Sequence, residues 1–369
     1  MAKRRKNNEG TINYKPHNKN WEARIKINGK VKYFTAKTQA EVSEKLLNFR
    51  MALKSGLDIT ATSNVREVAD KFLKVRARNC TPKTIHTYET QYRVHIDKPL
   101  GSKKIADLTP SQISSFVDDM VSNGSSADQV NRTLKVLKAI LSHAQKLQLI
   151  PTNPAEFVEG MKHQKKGIRA LEPKEIKSFV KESKSDKHHA LWYLLLNSGC
   201  RIGEALALQW SDLDFENDTL TIGKTYDQDF GVKDGTKNGT TRVVKLNSST
   251  MKVLQQHHSK QLEQQLDLGK YWNPNNLIFA NSVGEYVNLN NLRRRNFSEI
   301  LKRANISDFK IHDLRHTFAS HSLMNNISVL EVSHYIGHKS PLITMSVYAH
   351  FVPSEDKNTS DIMEKIINA

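Results

Sequence analysis

Three short helices in close succession are predicted between His312 and Tyr348. His312 and Arg315 are three residues apart, so they share one face of the first helix. Ser328 suits the N-cap of the second helix, and Gly337 suits its left-handed C-terminal end. A Ser-Pro pair then begins the third helix, which carries Tyr348. A cation, an imidazole and a phenol are therefore expected on rigid, closely connected elements.

These side chains suit a phosphate group. The guanidinium of Arg315 offers a planar fork of donors that matches phosphate oxygens. His312 and His338 can donate a hydrogen bond or move a proton, and Tyr348 can act as a covalent nucleophile. Any one of them alone also fits a structural or surface role. The whole set at this spacing favours a reactive site.

The balance of charge indicates the class of partner. The 369 residues carry a formal net charge of +18, which favours a polyanion such as nucleic acid. The sequence has no long apolar run, so no membrane partner is expected, and the basic N-terminus lacks the apolar segment of a secretory signal. Two cysteines, Cys80 and Cys200, cannot build a metal cluster or a disulfide framework. A reducing cytoplasm is therefore the expected location.

Three strands are predicted within residues 11–35, followed by an amphipathic helix over residues 38–55. Asn28 and Gly29 are a strong two-residue hairpin signal between the second and third strands. A sheet backed by one helix leaves one face free, and a basic free face can enter a DNA groove. The same pattern also fits an ordinary solvated sheet. The candidate DNA contacts in this segment are Arg24, Lys26 and Lys32.

The pattern is helical from residue 65 to about residue 161. Four helices are predicted, over residues 65–77, 82–96, 110–122 and 127–149. Their basic and aromatic positions fit contact with a DNA backbone, and they fit a plain solvated helix face equally well. A basic linker over residues 162–169 follows and could lie along a phosphate backbone. The candidate DNA contacts here are Lys83, Arg132, Lys135, Lys165 and Lys166.

Helices and strands alternate from residue 171 onward. Arg201 lies at the start of a predicted helix, where free backbone amides favour a bound phosphate. Glu204, one turn later, could orient the guanidinium of Arg201. A Gly-rich turn over residues 231–239 carries Lys233 and Lys237 close to its tip, so a lysine could reach DNA. Strands are predicted over residues 219–222, 241–246 and 277–279, and further helices over residues 172–183, 189–197, 249–266 and 289–304.

These segments together resemble the tyrosine recombinases, and in particular the lambda-type integrases of phages and conjugative transposons. The resemblance covers residues 170–352 in order and spacing. Its motifs are Ser198-Gly199-Cys200-Arg201-Ile202-Gly203-Glu204-Ala205-Leu206, Thr236-Lys237-Asn238-Gly239 with Arg242, His312-Asp313-Leu314-Arg315-His316-Thr317, Gly337-His338, and Tyr348-Ala349-His350. Cys200 departs from the family pattern, which has a branched or small apolar residue there, and this difference affects no expected role.

The resemblance implies a multidomain α+β protein with three parts. An arm-type DNA-binding domain, over residues 1–60, would hold the small three-stranded sheet and its helix. An all-helical core-binding bundle would cover residues 64–161. The catalytic domain with its C-terminal tail, over residues 170–369, would be mainly helical and would include a small antiparallel sheet.

A reaction is implied as well. Tyr348 would attack a scissile DNA phosphate and form a 3′-phosphotyrosine, while Arg201 and Arg315 stabilise the charged transition state. Lys237 would protonate the departing 5′-oxygen, and His312 would help to manage the tyrosine proton. Since the covalent bond retains the energy of the broken phosphodiester, no cofactor and no metal are expected. The expected catalytic residues are Arg201, Lys237, His312, Arg315, His338 and Tyr348.

The expected partners are double-stranded DNA attachment sites of core and arm type, bound by a homotetramer in the bacterial nucleoid. An excisionase and a DNA-bending host factor are possible additions. Residues 354–369 predict a short amphipathic helix that would pack on a neighbouring subunit, with packing on its own domain as the alternative.

Two other classes of protein share some of these features. A DNA-binding regulator without catalysis would explain the charge and the two N-terminal segments, but it leaves the set of catalytic side chains without a purpose. A type IB topoisomerase would use similar chemistry. The separate N-terminal sheet favours site-specific recombination, in which a mobile element is integrated and excised.

Overall fold

The computed structural model describes residues 10–27, 30–54, 63–162, 167–235, 241–352 and 367. The chain divides into two compact units, Met1–Lys165 and Lys166–Ala369. Helices dominate both units, and each sheet is small and antiparallel. The predicted mainly helical α+β class is therefore confirmed.

The first unit begins with a three-stranded sheet. Its strands are β1 (Thr11–Lys15), β2 (Asn20–Ile27) and β3 (Lys30–Ala36), paired in that order, and helix α1 (Gln39–Lys54) follows. Alternation along β2 places Ala23 and Ile25 in a core with Leu46 of α1. Arg24 and Lys26 therefore lie on the opposite, exposed face, as predicted. The predicted turn at Asn28 and Gly29 lies outside the described residues.

Lys32 lies on the helix side of this sheet. It pairs with Ile25 across the β2–β3 ladder, and directly paired residues point to the same face. Its Nζ atom lies 4.7 Å from the ring centroid of Phe49, which is a cation–π distance. Lys32 is exposed but does not share the free face with Arg24 and Lys26.

A helical bundle with its own core follows. Its helices are α2 (Val65–Ala77), α3 (Pro82–Gln91), α4 (Asp97–Leu100), α5 (Pro110–Ser122) and α6 (Ala127–Lys146), and a π-helical turn, Tyr92–Ile96, links α3 to α4. The four long helices begin at side chains that accept a hydrogen bond from a backbone amide, namely Asn64, Thr81, Thr109 and Ser126. These caps explain why the predicted helix starts are correct. The apolar faces meet in a core that includes Phe72, Ile113 and Leu137.

The second unit is built around one buried helix. Helix α8 (His189–Ser198) is apolar on all sides, and Leu191, Trp192, Leu194 and Leu195 are at most 1% exposed. Before and after it lie α7 (Pro173–Ser183) and α9 (Ile202–Leu206). Strands β4 (Leu213–Asp214), β5 (Thr219–Ile222) and β8 (Arg242–Lys245) form a sheet, while β6 (Lys224–Asp227) and β7 (Gly231–Asp234) form a separate hairpin.

Six helices complete the described part of this unit. They are α10 (Ser248–Leu268), α11 (Leu289–Asn291), α12 (Ser298–Arg303), α13 (Ile311–Met324), α14 (Val329–Ile336) and α15 (Pro341–Tyr348). A π-helical segment, Leu292–Phe297, joins α11 to α12, so the helix predicted over residues 289–304 is present with an irregular centre. Among the described residues, no helix is both long and apolar enough to cross a membrane.

Two local predictions in this unit are wrong. The Gly-rich segment expected to be a turn begins with strand β7, which pairs with β6. The strand expected at residues 277–279 is absent, since only an isolated bridge joins Leu277 to Gln209. Ile278 and Phe279 are buried in the core without a strand partner, because a short apolar run signals burial without specifying a ladder.

Candidate active site

The end of α8 fixes the first arginine of the site. Gly199 ends α8 with φ of +61°, and a Cβ atom there would lie 2.5 Å from the ring of Phe318. The carbonyl oxygen of Gly199 accepts a hydrogen bond of 2.8 Å from Nη1 of Arg315, on α13. Arg315 is only 2% exposed. Burial, with the nearby charge of Arg201, lowers the pKa of Arg315 to about 10.

One donor of Arg315 has no partner in the described structure. Its Nη2 atom is buried and makes no hydrogen bond to any described residue. A buried, unsatisfied donor of a charged group is costly, and such groups deserve a physical explanation. An oxyanion bound at this atom would satisfy it.

A carboxylate orients the second arginine. Arg201 is the N-cap residue of α9, and its Nη1 donates a 2.8 Å hydrogen bond to Oε1 of Glu204. The backbone amide of Arg201 donates to Oε2 of the same group at 3.0 Å. Glu204 is 1% exposed; burial acts to raise its pKa, but Arg242 and Arg201 together hold that pKa below its usual value. The expected contact between Glu204 and Arg201 is present.

Arg242 is a third arginine of the site and, with Arg315, the second that is buried; its residue type and spacing predicted no role for it. It is 6% exposed and lies in β8. Its Nη2 donates to Oε2 of Glu204 at 2.7 Å, and its Nε donates to the backbone carbonyl of Tyr335 at 2.9 Å. Its burial could have been predicted from its position two residues before the apolar Val244, because alternate residues of a strand face the same way.

His338 follows the end of α14. Ser328 and Glu331 form the predicted capping box at the start of this helix, and Gly337 ends it with φ of +65°. The Nδ1 atom of His338 lies 2.8 Å from Oγ1 of Thr344. Burial lowers the pKa of His338 to about 4, with the charges of nearby arginines adding to the effect. His338 is therefore neutral at neutral pH and offers one N–H donor.

Tyr348 is the last residue of α15 and is 1% exposed. Its hydroxyl lies 2.6 Å from Nδ1 of His316. Burial raises the pKa of Tyr348 to about 12, although Arg315 and Arg201 act to lower it. The positive charges of both arginines therefore act on the tyrosine hydroxyl. Deprotonation of Tyr348 therefore needs an acceptor, because its own acidity is weak.

His316 had no predicted role, although it belongs to the motif quoted above. It lies one turn after His312 on α13, and the two ring centroids are 4.9 Å apart. Burial lowers the pKa of His316, which favours the neutral ring that can accept a proton. His312, the residue predicted to handle the tyrosine proton, is exposed. Their spacing of four residues could have predicted that the two histidines share one face of the helix.

Some of the predicted site lies outside the described residues. This applies to Lys237, to Lys165 and Lys166 in the linker, and to residues 353–366 of the tail. Lys233, the alternative lysine of the hairpin, is described and lies exposed in β7.

The candidate DNA contacts of the bundle are on its surface. Lys83 and Lys135 are exposed, and Arg132 is exposed while forming an ion pair with Asp128 one turn earlier. Asn131, the neighbour of Arg132, has a structural role, because its side chain hydrogen-bonds both the amide and the carbonyl of Met161.

Cys200 precedes Arg201 in the chain and is buried. Burial raises the pKa of the Cys200 thiol to about 11, so this thiol is a poor nucleophile beside Arg201. Among residues with a described placement, no group of three or more His, Cys, Asp or Glu is arranged to hold a metal ion.

Comparison with known proteins gives the family. The sequence profile of the phage integrase family matches residues 169–355, about half of the chain. That of the phage integrase N-terminal SAM-like domain matches residues 64–121. A tyrosine recombinase XerC-like protein of Caldanaerobacter subterraneus is 26% identical, covering 92% of this chain and 93% of that one. The ICEBs1 integrase of Bacillus subtilis is 23% identical over 74% and 75% of the two chains.

Solved structures show the same fold. The Tn1549 transposon integrase in complex with circular intermediate DNA has a TM-score of 0.68 at 21% identity, covering 82% of this chain and 99% of that one. A lambda integrase dimer bound to a core site has a TM-score of 0.60 at 18% identity, covering 96% and 97%. The resemblance stated from the sequence is confirmed: the chain belongs to the phage integrase family and is a tyrosine-type site-specific DNA recombinase.

Proposed function

We propose that Tyr348 is the nucleophile of this recombinase and that Arg201 and Arg315 bind the scissile phosphate. The observation that carries the proposal is the buried, unpaired Nη2 atom of Arg315, whose charge acts on the Tyr348 hydroxyl. A phosphate oxygen at this atom would satisfy the donor. The fixed guanidinium would then stabilise charge that develops on the phosphate in the transition state. In this proposal the Nδ1 atom of His338 accepts a hydrogen bond from the Thr344 hydroxyl, and its single N–H, at Nε2, donates to another phosphate oxygen.

The reaction forms one bond and breaks one. The Tyr348 oxygen bonds to phosphorus, the bond from phosphorus to the 5′-oxygen breaks, and a 3′-phosphotyrosine remains. The phenol proton leaves toward Nδ1 of His316, which lies 2.6 Å away, and the exposed ring of His312 is the next imidazole along the helix. We assign His312 to the solvent side of this pair. Attack by a 5′-hydroxyl from another duplex reverses the step and completes strand exchange.

Lys237 is the proposed general acid for the departing 5′-oxygen. The β6–β7 hairpin leads directly into the segment that carries it. Replacing Lys237 with Ala should slow cleavage of normal DNA and spare cleavage of a 5′-bridging phosphorothioate, whose sulfur leaves without a proton. Lys233→Ala is the matched control on the same hairpin. If the phosphorothioate substrate restored the cleavage rate of Lys233→Ala and not that of Lys237→Ala, Lys233 would be the general acid.

We further propose separate tasks for the N-terminal segments. The bundle and the catalytic domain bind the core of the attachment site, while the sheet of residues 10–36 binds a second, arm-type site through the face that carries Arg24 and Lys26. Two tethered binding modules raise each other's effective concentration and can bridge separate sites. Removing residues 1–63 should leave cleavage of a short core duplex intact and abolish recombination of the full site. Recombination of full sites at the normal rate by the truncated protein would refute this division.

The proposed assembly is a tetramer on DNA, because exchange between two duplexes requires four nucleophiles. A lambda integrase tetramer has been solved on a Holliday junction, which supports the analogy. In this proposal residues 354–369 pack on a neighbouring subunit, and an excisionase and a DNA-bending protein set the direction of recombination in the cytoplasmic nucleoid. Deleting residues 354–369 should weaken synapsis in native gels. An unchanged tetramer would count against the exchange of tails.

The central test is trapping of the covalent intermediate. The junctions made in cells are first sequenced, and a nicked suicide duplex is built from them. Tyr348→Phe should bind this duplex normally and form no adduct, since only the hydroxyl is removed. Tyr335→Phe tests the rival tyrosine, whose hydroxyl donates to the carbonyl of Lys245. An adduct with Tyr348→Phe, lost in Tyr335→Phe, would transfer the nucleophile to Tyr335.

A further inference from the structure

Arg242 is buried where a cation is costly. It is 6% exposed on the inward face of β8, between the strand and the catalytic segments. Burial of an arginine destabilises a fold unless its donors are paired with good geometry. Two of its donors are paired, but Nη1 is buried and has no partner among the described residues. Packing alone would be served better by an apolar side chain.

Its two partners belong to different catalytic segments. Nη2 donates to Glu204, which also receives the backbone amide and the guanidinium of Arg201. Nε donates to the carbonyl of Tyr335 in the last turn of α14, three residues before His338. One guanidinium therefore connects the helix start that carries Arg201 to the helix end that carries His338.

The guanidinium also packs against the backbone at Gly337. A Cβ atom on Gly337 would lie 2.8 Å from Nη1 and 2.9 Å from Cζ of Arg242. The carbonyl of Gly337 in turn lies 3.4 Å from Nη2 of Arg201. The positive φ of +65° favours glycine here, and a Cβ atom would also displace the guanidinium of Arg242. Arg242 therefore lies against the backbone that ends α14, next to the carbonyl that approaches Arg201.

We propose that Arg242 is a positioning residue that holds Arg201 and His338 in register on the scissile phosphate, acting through Glu204 and the α14 end at Tyr335 and Gly337. This inference rests on the proposed roles of Arg201 and His338. Lysine at position 242 would keep the charge but, with a single ammonium group, would lose the fork that reaches both partners. Methionine would keep much of the volume and lose both contacts.

The first experiment measures single-turnover adduct formation on the nicked suicide duplex. A displacement of about 1 Å in a catalytic group costs on the order of 100-fold in rate. We expect Arg242→Lys to cleave about 10-fold more slowly than wild type and Arg242→Met about 100-fold more slowly. DNA affinity should change by less than about threefold, because Arg242 is buried and, in this proposal, acts through Glu204 and the end of α14 instead of through contact with DNA.

The matched control is Arg303 on α12. Arg303 also pairs with a carboxylate, Glu182, but its side chain is 44% exposed. Arg303→Lys and Arg303→Met should leave the cleavage rate unchanged. Thermal unfolding of each variant identifies a loss of rate caused by unfolding, and rates are compared only at temperatures where every variant is folded.

A double-mutant cycle separates positioning from general damage. Arg242→Met is combined in turn with Arg201→Lys and with His338→Gln. If Arg242 acts through these residues, each double variant will lose much less rate than the product of the single losses. Losses that simply multiply, or an Arg242→Lys variant that cleaves at the wild-type rate, would overturn the proposal. An adduct that persists in Tyr348→Phe would instead refute the proposed nucleophile, so the two failures are distinguishable.

Discussion

The cations of the two units differ in how they are held. In the second unit, Arg315 and Arg242 are at most 6% exposed, and backbone carbonyls and a buried carboxylate fix their guanidinium groups. In the first unit, the basic side chains of the bundle lie on the surface, and the side chain of Arg132 is 63% exposed. Buried cations keep one geometry, whereas exposed cations move and are screened by salt.

We interpret this difference as a division of labour: the buried cations would serve the chemical step, and the exposed cations would serve DNA affinity. A fixed donor can stabilise a transition state without reorganising, because its position was set during folding. A mobile surface cation contributes mainly to the attraction of the DNA backbone, and its effect depends on the total charge. The following predictions test this division, beginning with the largest expected effect.

Arg315→Lys should have the largest effect on cleavage. An ammonium group cannot bond to the Gly199 carbonyl and also supply the second, unpaired donor in the same plane. We expect cleavage of the suicide duplex to slow about 100-fold or more, with DNA affinity nearly unchanged. Arg303→Lys is the exposed control. A variant that bound DNA more weakly but cleaved bound DNA at the wild-type rate would show that Arg315 serves DNA affinity. That result would contradict the proposed division between buried and exposed cations.

His316→Gln should have the next largest effect. Glutamine removes the imidazole that lies 2.6 Å from the Tyr348 hydroxyl, so the proton loses its nearest acceptor. We expect cleavage to slow about 10- to 100-fold and to recover partly at high pH, where hydroxide can remove the proton. His312→Gln, at the exposed position, should slow cleavage less. A larger loss in His312→Gln would restore His312 as the direct partner of Tyr348.

Lys135→Gln should affect binding and spare catalysis. Loss of one phosphate contact should weaken DNA affinity several-fold and reduce the slope of log K against log salt by about 0.9. The cleavage rate at saturating DNA should not change. Lys146→Gln, an exposed lysine near the end of the same helix, is the control. An unchanged salt slope would remove Lys135 from the DNA interface.

The smallest expected effect is a dependence of stability on pH. Burial lowers the pKa of His188 and of His338 to about 4 in the folded protein, whereas an unfolded histidine has a pKa of about 6.5. Between these values the unfolded chain binds more protons, so stability is complete above about pH 6.5 and falls as the pH decreases toward 4. The melting temperature should therefore be a few degrees lower at pH 5 than at pH 7. His188→Gln should reduce this difference; equal pH dependence in the variant would exclude a contribution from His188.

Local signals in the sequence predicted much of the fold. The caps at Asn64, Thr81, Thr109 and Ser126 act within one turn of helix, so the starts of α2, α3, α5 and α6 agree with prediction. Alternation in β2 gave the correct buried face. Two short segments failed, β7 and residues 277–279, because pairing of a strand depends on a partner elsewhere in the chain.

The sequence by itself determined the family and the candidate chemistry, since the motifs around Arg201, Arg315, His338 and Tyr348 are specific in residue type and spacing. Only the tertiary structure decided that His316 contacts the tyrosine hydroxyl and that Arg242 joins two catalytic segments. The contact between Arg242 and Tyr335 spans 93 positions, and that between Arg201 and Gly337 spans 136. Spacing in the sequence predicts which residues share a helix face, because that depends on local geometry. Burial and hydrogen bonds between residues far apart in the chain depend on how the helices and strands pack together.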